Sequence, residues 1–125
     1  MHSQKSRRSD CIFCKIVDGV IPSPRVFEND QFICIKDIQP HAKTHFLVIP
    51  REHIESLDLA FPTEGPQQIE LLGKMMAFGT QIARENGLLP RGFRAVVNTG
   101  IDGGQTVFHL HLHILGGQTL GGGLA

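Results

Sequence analysis

The chain has 125 residues, enough for one domain with one core, and 41% of them are hydrophobic, an ordinary share for a globular chain. Twelve basic and twelve acidic residues cancel, which points away from nucleic acid and from an anionic membrane surface as partners; a small phosphorylated ligand needs only a local site. No apolar run approaches the roughly 18 residues of a membrane span, residues 1–10 are too polar for a secretory signal, and three cysteines do not make a disulfide framework, so a reducing cytoplasm is the expected setting.

Residues 1–10 read as a disordered tail. Cys11-Ile12-Phe13-Cys14-Lys15-Ile16 opens the ordered part, and Gly19, Pro22 and Pro24 break whatever short element forms there. Residues 25–28 and 31–36 flank Asn29-Asp30 as a hairpin. A loop through Asp37, Pro40 and His41 leads to a third strand over residues 45–49, stopped by Pro50, and residues 52–57 suit one or two helical turns. One long helix starts near Pro66. Ile69, Leu72, Met75 and Met76, Gly79, Ile82 and Ala83 recur at helical spacing as core positions, and Asn86-Gly87 stops it. Residues 93–98 form a fourth strand, 99–104 a Gly-rich loop and 106–115 a fifth strand, with a Gly-rich tail over 118–125. Together these predict an α+β domain over residues 11–117: a five-stranded antiparallel sheet with one long helix on a face and one short helix.

The fifth strand carries His109, His111 and His113 in alternation with Phe108, Leu110, Leu112 and Ile114. Period two puts the apolar set on one face and the imidazoles on the other, about 6–7 Å apart. A merely solvated face would more readily use Lys, Thr or Glu. Imidazole changes charge near neutral pH, attacks as a nucleophile and ligates metals. As a nucleophile, the central His111 needs one neutral, unprotonated nitrogen and a fixed acceptor, such as a carbonyl, for the other. Just upstream, Gly103 and Gly104 allow main-chain N–H groups to face an anion, and the Gln105 amide can reach a bridging atom. Cys11 and Cys14 with two histidines would complete a Cys₂His₂ zinc site; from the spacing alone, zinc, a redox pair and two buried thiols stay open. Cys34 reads as a small buried hydrophobe, and His41 receives no role.

His109-Leu110-His111-Leu112-His113-Ile114-Leu115 matches the pattern His-φ-His-φ-His-φ-φ, and the chain resembles the histidine triad family over nearly its whole ordered length. Further landmarks follow in the family's order: Cys11-Ile12-Phe13-Cys14-Lys15-Ile16, Ile21-Pro22, Asp37-Ile38, Thr44-His45-Phe46-Leu47-Val48-Ile49-Pro50, His53-Ile54, Val97-Asn98 and Gly103-Gly104-Gln105-Thr106-Val107. The Leu115-Gly116-Gly117 ending resembles the Hint branch, the nucleoside phosphoramidases; the dinucleoside polyphosphate branch more often continues with Pro-Arg.

The resemblance implies that His111 attacks the α-phosphorus of a nucleoside 5′-phosphoramidate, releasing an amine. Water would then hydrolyse the nucleotidyl-histidine to a nucleoside monophosphate such as AMP. It implies that His113, the Gly104 backbone and the Thr106 hydroxyl hold the phosphoryl oxygens and leaving group, Thr106 standing where Ser is common. His45 would support His111 through a relay, and Asn98 and Gln105 would line the phosphate site. Asp37 would accept hydrogen bonds from the ribose hydroxyls. Phe13, Ile16, Ile21, Ile35 and Ile38 would form the apolar slot for a purine base, plain core being their other reading. Bacterial members with C-x-x-C bind a structural zinc, here through Cys11, Cys14, His53 and His109, with no organic cofactor. The resemblance also implies a homodimer whose sheet runs through both subunits. One departure is the Gln118-to-Ala125 ending without Trp, where Hint proteins commonly carry an aromatic tail; it bears on leaving-group preference. Three rival readings follow from the same residues: a metallohydrolase using the three histidines as a metal cluster, a nucleotide-binding protein without turnover, and a dinucleoside polyphosphate hydrolase of the same family. The first usually wants a carboxylate nearby, and none lies between Thr106 and Ala125.

Overall fold

Asn29 sets the first turn of the sheet. Its side-chain oxygen accepts from the main-chain N–H groups of Gln31 and Phe32 at 2.9 and 2.8 Å, the local bonding that suits Asn to turns. The computed structural model describes residues 7–61 and 66–122. In it this turn joins β1 (Arg25–Glu28) to β2 (Phe32–Lys36). β3 (Thr44–Pro50), β4 (Phe93–Val96) and β5 (Leu112–Gly116) complete one sheet in the order β1-β2-β3-β5-β4, antiparallel throughout. β3 and β5 are central, with His45 opposite Leu115 and Leu47 opposite His113. The fold is the α+β arrangement that the sequence predicts. Residues 1–6 and 123–125, parts of the two expected tails, lie outside the described residues.

The long helix α3 (Pro66–Glu85) covers one face. Met75, Phe78 and Ile82 pack there on Phe32, Cys34, Phe46, Val48, Leu112 and Ile114. Gly79 lets the helix approach closely: a Cβ on it would sit 3.0 Å from Leu112 Cδ2 and 3.2 Å from Ile114 Cδ1. Asn86 Nδ2 donates to the Ile82 carbonyl at 2.8 Å, and Gly87, at φ +78°, takes the left-handed conformation that ends the helix. Met75 is fully buried, but Met76 and Ile69 are exposed. Adjacent helical positions lie about 100° apart, so the sheet receives only one of the two methionines.

The opposite face is covered by α1 (Ile12–Val17), an element the sequence left unassigned. Phe13, Ile16 and Val17 bury against Ile33, Ile35, Leu47 and Ile49, at about 1.5–3 kcal/mol for each side chain taken from water. Its N-cap is Cys11, whose sulfur accepts the Cys14 N–H at 3.3 Å.

Four expectations need correction. The fifth strand begins at Leu112, not at 106. Residues 105–110 leave the ladder and are held sideways instead: Leu110 N–H donates to the Ile54 carbonyl at 2.6 Å, and Gln105 Nε2 donates to the Glu55 carbonyl at 2.7 Å. Phe108 consequently misses the core and is 44% exposed. β4 ends at Val96, opposite His113, for the same reason. The short helix, α2, is Leu57–Ala60 and not 52–57, because the Ile54 and Glu55 carbonyls are spent on residues 105–110. Residues 7–10 are not a free tail; Cys11 N–H donates to the Arg8 carbonyl at 3.2 Å.

The two glycines inside α3 give a paired prediction. Gly73 has open space around it, and Gly73→Ala should raise stability by about 0.5–1 kcal/mol. Gly79→Val should lower it by about 1–3 kcal/mol by forcing Leu112 and Ile114 out of place. Urea unfolding of both variants measures the two signs.

Candidate active site and metal cluster

His109 divides its functional groups between two places. Its ring is fully buried, and Nε2 donates to the Pro50 carbonyl at 2.8 Å. That bond leaves Nδ1 with its lone pair facing Cys11 Sγ at 3.3 Å and Cys14 Sγ at 3.6 Å. His53 Nδ1 stands 3.3 Å from Cys14 Sγ. One turn of α1 carries both sulfurs, which is why C-x-x-C spacing converges. A tetrahedral zinc with ordinary Zn–S and Zn–N bonds places S and N ligands about 3.6 Å apart. The four donors Cys11, Cys14, His53 and His109 all lie within 4.8 Å of one another and could hold a metal ion. Burial pushes the Cys14 thiol up to about 11 and the His109 imidazole down to about 4. A dication offsets that desolvation cost by stabilising the thiolates, and the fixed Nδ1 lone pair of His109 is the right ligand form. The residues fit a structural metal.

The same residue's carbonyl serves His111. His111 Nδ1 lies 2.7 Å from His109 O, so Nδ1 carries the proton and donates it. Nε2 is left unprotonated. The His111 ring is buried against the edge of Phe13, with centroids 5.1 Å apart and planes at 88°, and burial lowers its pKa.

His113 belongs to a third arrangement. The main-chain N–H of His41 donates to His45 Nδ1 at 3.0 Å, which puts the His45 proton on Nε2. Nε2 then donates to His113 Nδ1 at 2.9 Å, with Asp37 Oδ2 also near at 3.4 Å. His113 in turn must carry its proton on Nε2. His113 and His111 rings are 4.9 Å apart by centroid. Asp37, His45 and His113 are also close enough for a metal, but the His41 amide makes His45 Nε2 a donor. They form a hydrogen-bonded relay. The three triad histidines therefore do not converge on one ion, as the metallohydrolase reading requires.

The remaining sequence candidates are placed as follows. Gly103 must be glycine, since a Cβ would lie 2.3 Å from Thr99 O, and Gly104 sits at φ +80°. The Gly104 N–H closes a turn onto Ile101 O at 3.0 Å. Gln105 is buried, its amide bonded to Gly100 N–H at 2.9 Å, Glu55 O at 2.7 Å and Val107 O at 3.1 Å. Thr106 is exposed and Asn98 half-buried. Phe13, Ile16 and Ile35 are buried in the core on the α1 side, with Ile21 against it, whereas Ile38 is 93% exposed. Sequence reasoning missed His41, which acts through its main-chain amide and leaves no side-chain signal, and the Pro50 carbonyl.

This is an α+β domain with a buried, tautomer-fixed histidine beside a Cys₂His₂ cluster. Residues 10–124 match the family model described as scavenger mRNA decapping enzyme C-terminal binding. Protein HitA of Neisseria gonorrhoeae is 49% identical over 107 residues, covering 86% of this chain and 95% of that protein. A structure of a HIT family hydrolase from Legionella pneumophila superposes with a TM-score of 0.84 at 38% identity, covering 90% of this chain and 97% of that one. A Zn-bound histidine triad family protein from Mycobacterium smegmatis gives 0.71 at 39%, covering 86% and 74%. The chain belongs to the histidine triad (HIT) family.

Burial holds the His113 pKa at about 4, below the ordinary 6.5, with the His111 and His45 charges adding to the effect. The unfolded chain takes up that proton as pH falls below 6.5, while the folded chain resists until about 4. The corresponding stability is complete above pH 6.5 and is lost as pH falls to 4. In urea unfolding, the midpoint of His113→Gln should therefore fall less between pH 7 and pH 5 than that of the parent.

Proposed function

We propose that this chain hydrolyses nucleoside 5′-phosphoramidates through a covalent intermediate on His111. The observation that carries the reading is the 2.7 Å bond from His111 Nδ1 to His109 O, which leaves a neutral Nε2 available for attack. Nε2 attacks the α-phosphorus, the P–N bond breaks, and the amine departs. Water then displaces His111, its oxygen going to phosphorus, so that over the two steps one water supplies a hydroxyl to the nucleoside monophosphate and a proton to the amine. His113, with Nε2–H turned outward by the His45 relay, donates to the leaving nitrogen or a phosphoryl oxygen. The Gly104 main chain, Thr106 and Asn98 surround the phosphate, Gln105 braces the glycine loop from behind through its bonds to Gly100, Glu55 and Val107, and Asp37 accepts from the ribose hydroxyls. Of the five apolar candidates for the purine base, Ile21 and Ile38 are the accessible ones, and Phe13, Ile16 and Ile35 back them from the core. This is the reaction of the Hint branch, which the Leu115-Gly116-Gly117 ending favours over dinucleoside polyphosphate hydrolysis.

A zinc held by Cys11, Cys14, His53 and His109 supplies a structural cross-link between α1, the segment after β3 and the segment before β5. Cys11 and Cys14 contribute thiolates, His53 and His109 neutral imidazoles. The M. smegmatis structure, described as Zn-bound, supports zinc as the ion. We also propose a cytoplasmic homodimer: β4 is an edge strand, and Ile69 and Met76 leave apolar surface on α3.

A fluorogenic adenosine 5′-phosphoramidate tests the reaction. The parent should turn it over, and His111→Ala should lose about three orders of magnitude or more. Equal turnover by His111→Ala would refute the nucleophile. Protein purified without chelators should contain close to one zinc per chain, and Cys14→Ser far less; a parent with well under one would refute the zinc.

A further inference from the structure

We propose that residues 7 and 8 belong to the metal centre, as a short arm that closes over Cys14 and holds it as a ligand. The inference rests on the four-ligand metal reading and is independent of the reaction.

The two sulfurs have different surroundings. Cys11 Sγ accepts a main-chain N–H from within its own helix, that of Cys14 at 3.3 Å. Cys14 Sγ accepts its main-chain N–H from outside the helix, from Arg8 at 3.4 Å. An N–H···S bond to a metal-bound thiolate withdraws charge from the sulfur and fixes its direction, and such outer bonds typically change metal affinity about 10–100-fold. Within the described residues, Arg8 is the chain's outer support for that ligand.

Arg7 supplies the charge. Its side chain is only 14% exposed, and Nε donates to Asp18 Oδ1 at 2.9 Å, at the C-terminal end of α1. One of its terminal nitrogens, Nη1, is buried and has no hydrogen-bond partner among the described residues. A buried guanidinium needs compensating negative charge. Asp18 supplies part of it at Nε, and because Arg7 directly precedes the main-chain N–H that meets Cys14 Sγ, metal-bound thiolates would supply the rest. The arm also spans the cluster. Arg7 reaches Asp18 on one side, and Arg8 Nη1 reaches Glu55, two residues from His53, at 3.2 Å on the other. The Arg8–Glu55 pair is solvent-exposed and contributes little by itself. The Arg8 main chain and the Arg7 side chain do the holding.

The test is competition for zinc against a chromogenic chelator, using zinc-loaded protein. The full chain sets the reference affinity and release rate. A chain lacking residues 1–8 should bind zinc about 10–100-fold more weakly and release it correspondingly faster. Arg7→Ala, which keeps the arm and so tests the idea even if the shortened chain folds poorly, should show a loss of about fivefold or more. Arg8→Ala retains the main-chain N–H and should stay within about twofold of the parent. Unchanged zinc affinity on removal of residues 1–8, or in Arg7→Ala, would overturn the proposal. So would a loss in Arg8→Ala as large as the truncation's. A full chain that takes up no zinc would overturn the metal reading itself.

Discussion

The bond from His111 Nδ1 to the carbonyl of His109 is the constraint on which the account depends. It is short, 2.7 Å, and buried, and it decides which nitrogen of His111 can attack. The residue that supplies the carbonyl is immobilised from its other end. Its ring is pinned between Pro50 O and the two cysteine sulfurs. A metal bound at Cys11, Cys14, His53 and His109 would thus hold the main chain that orients the nucleophile. Precise placement by a rigid support is what covalent catalysis needs, since small displacements of a nucleophile carry large rate penalties.

The departure of residues 105–110 from the sheet makes this arrangement possible. Within the ladder, β5 is paired on both sides, to β3 and β4. Ahead of Leu112 the chain bonds instead to Ile54 and Glu55, the residues that follow His53 of the Cys₂His₂ cluster. The alternation of side chains survives the break. Leu110, Leu112 and Ile114 stay in the core under α3, and all three histidines stay on the face that α1 covers, Phe13 touching both His109 and His111. The chain leaves the ladder between His109 and His113, so the first imidazole reaches the cysteines while the third meets His45. Three identical side chains in one pattern thereby acquire three environments.

Much of this was legible in the sequence because it depends on local pattern. Alternation placed the histidines opposite Leu110, Leu112 and Ile114, and the three- and four-residue spacing located α3, whose Asn86-Gly87 stop is where it falls. What was not legible depends on partners brought from far along the chain. Phe108 fits a strand by type, but a strand exists only where another strand lies beside it. Met75 and Met76 are chemically equal, and only the rotation of α3 about its axis separates them. α1 is short, and a cysteine at its N-cap gives no capping signature. His41 and Arg8 contribute main-chain N–H groups, which every non-proline residue has, so their identities carry no message. Gln105 is an instructive case. Its type and position suggest an amide aimed at a phosphate, yet in the structure its bonds run to Gly100, Glu55 and Val107 and tie the glycine loop to the segment that carries His53.

The most direct measurement is the tautomer of His111 in the zinc-loaded protein at neutral pH, read from the nitrogen resonances of the ring in ¹⁵N-labelled material. The expected result is a neutral ring with the proton on Nδ1 and a bare Nε2, with the Nδ1 proton coupled to the His109 carbonyl. A ring protonated on Nε2, or on both nitrogens, would contradict it, because the nitrogen assigned to attack would have no lone pair to use.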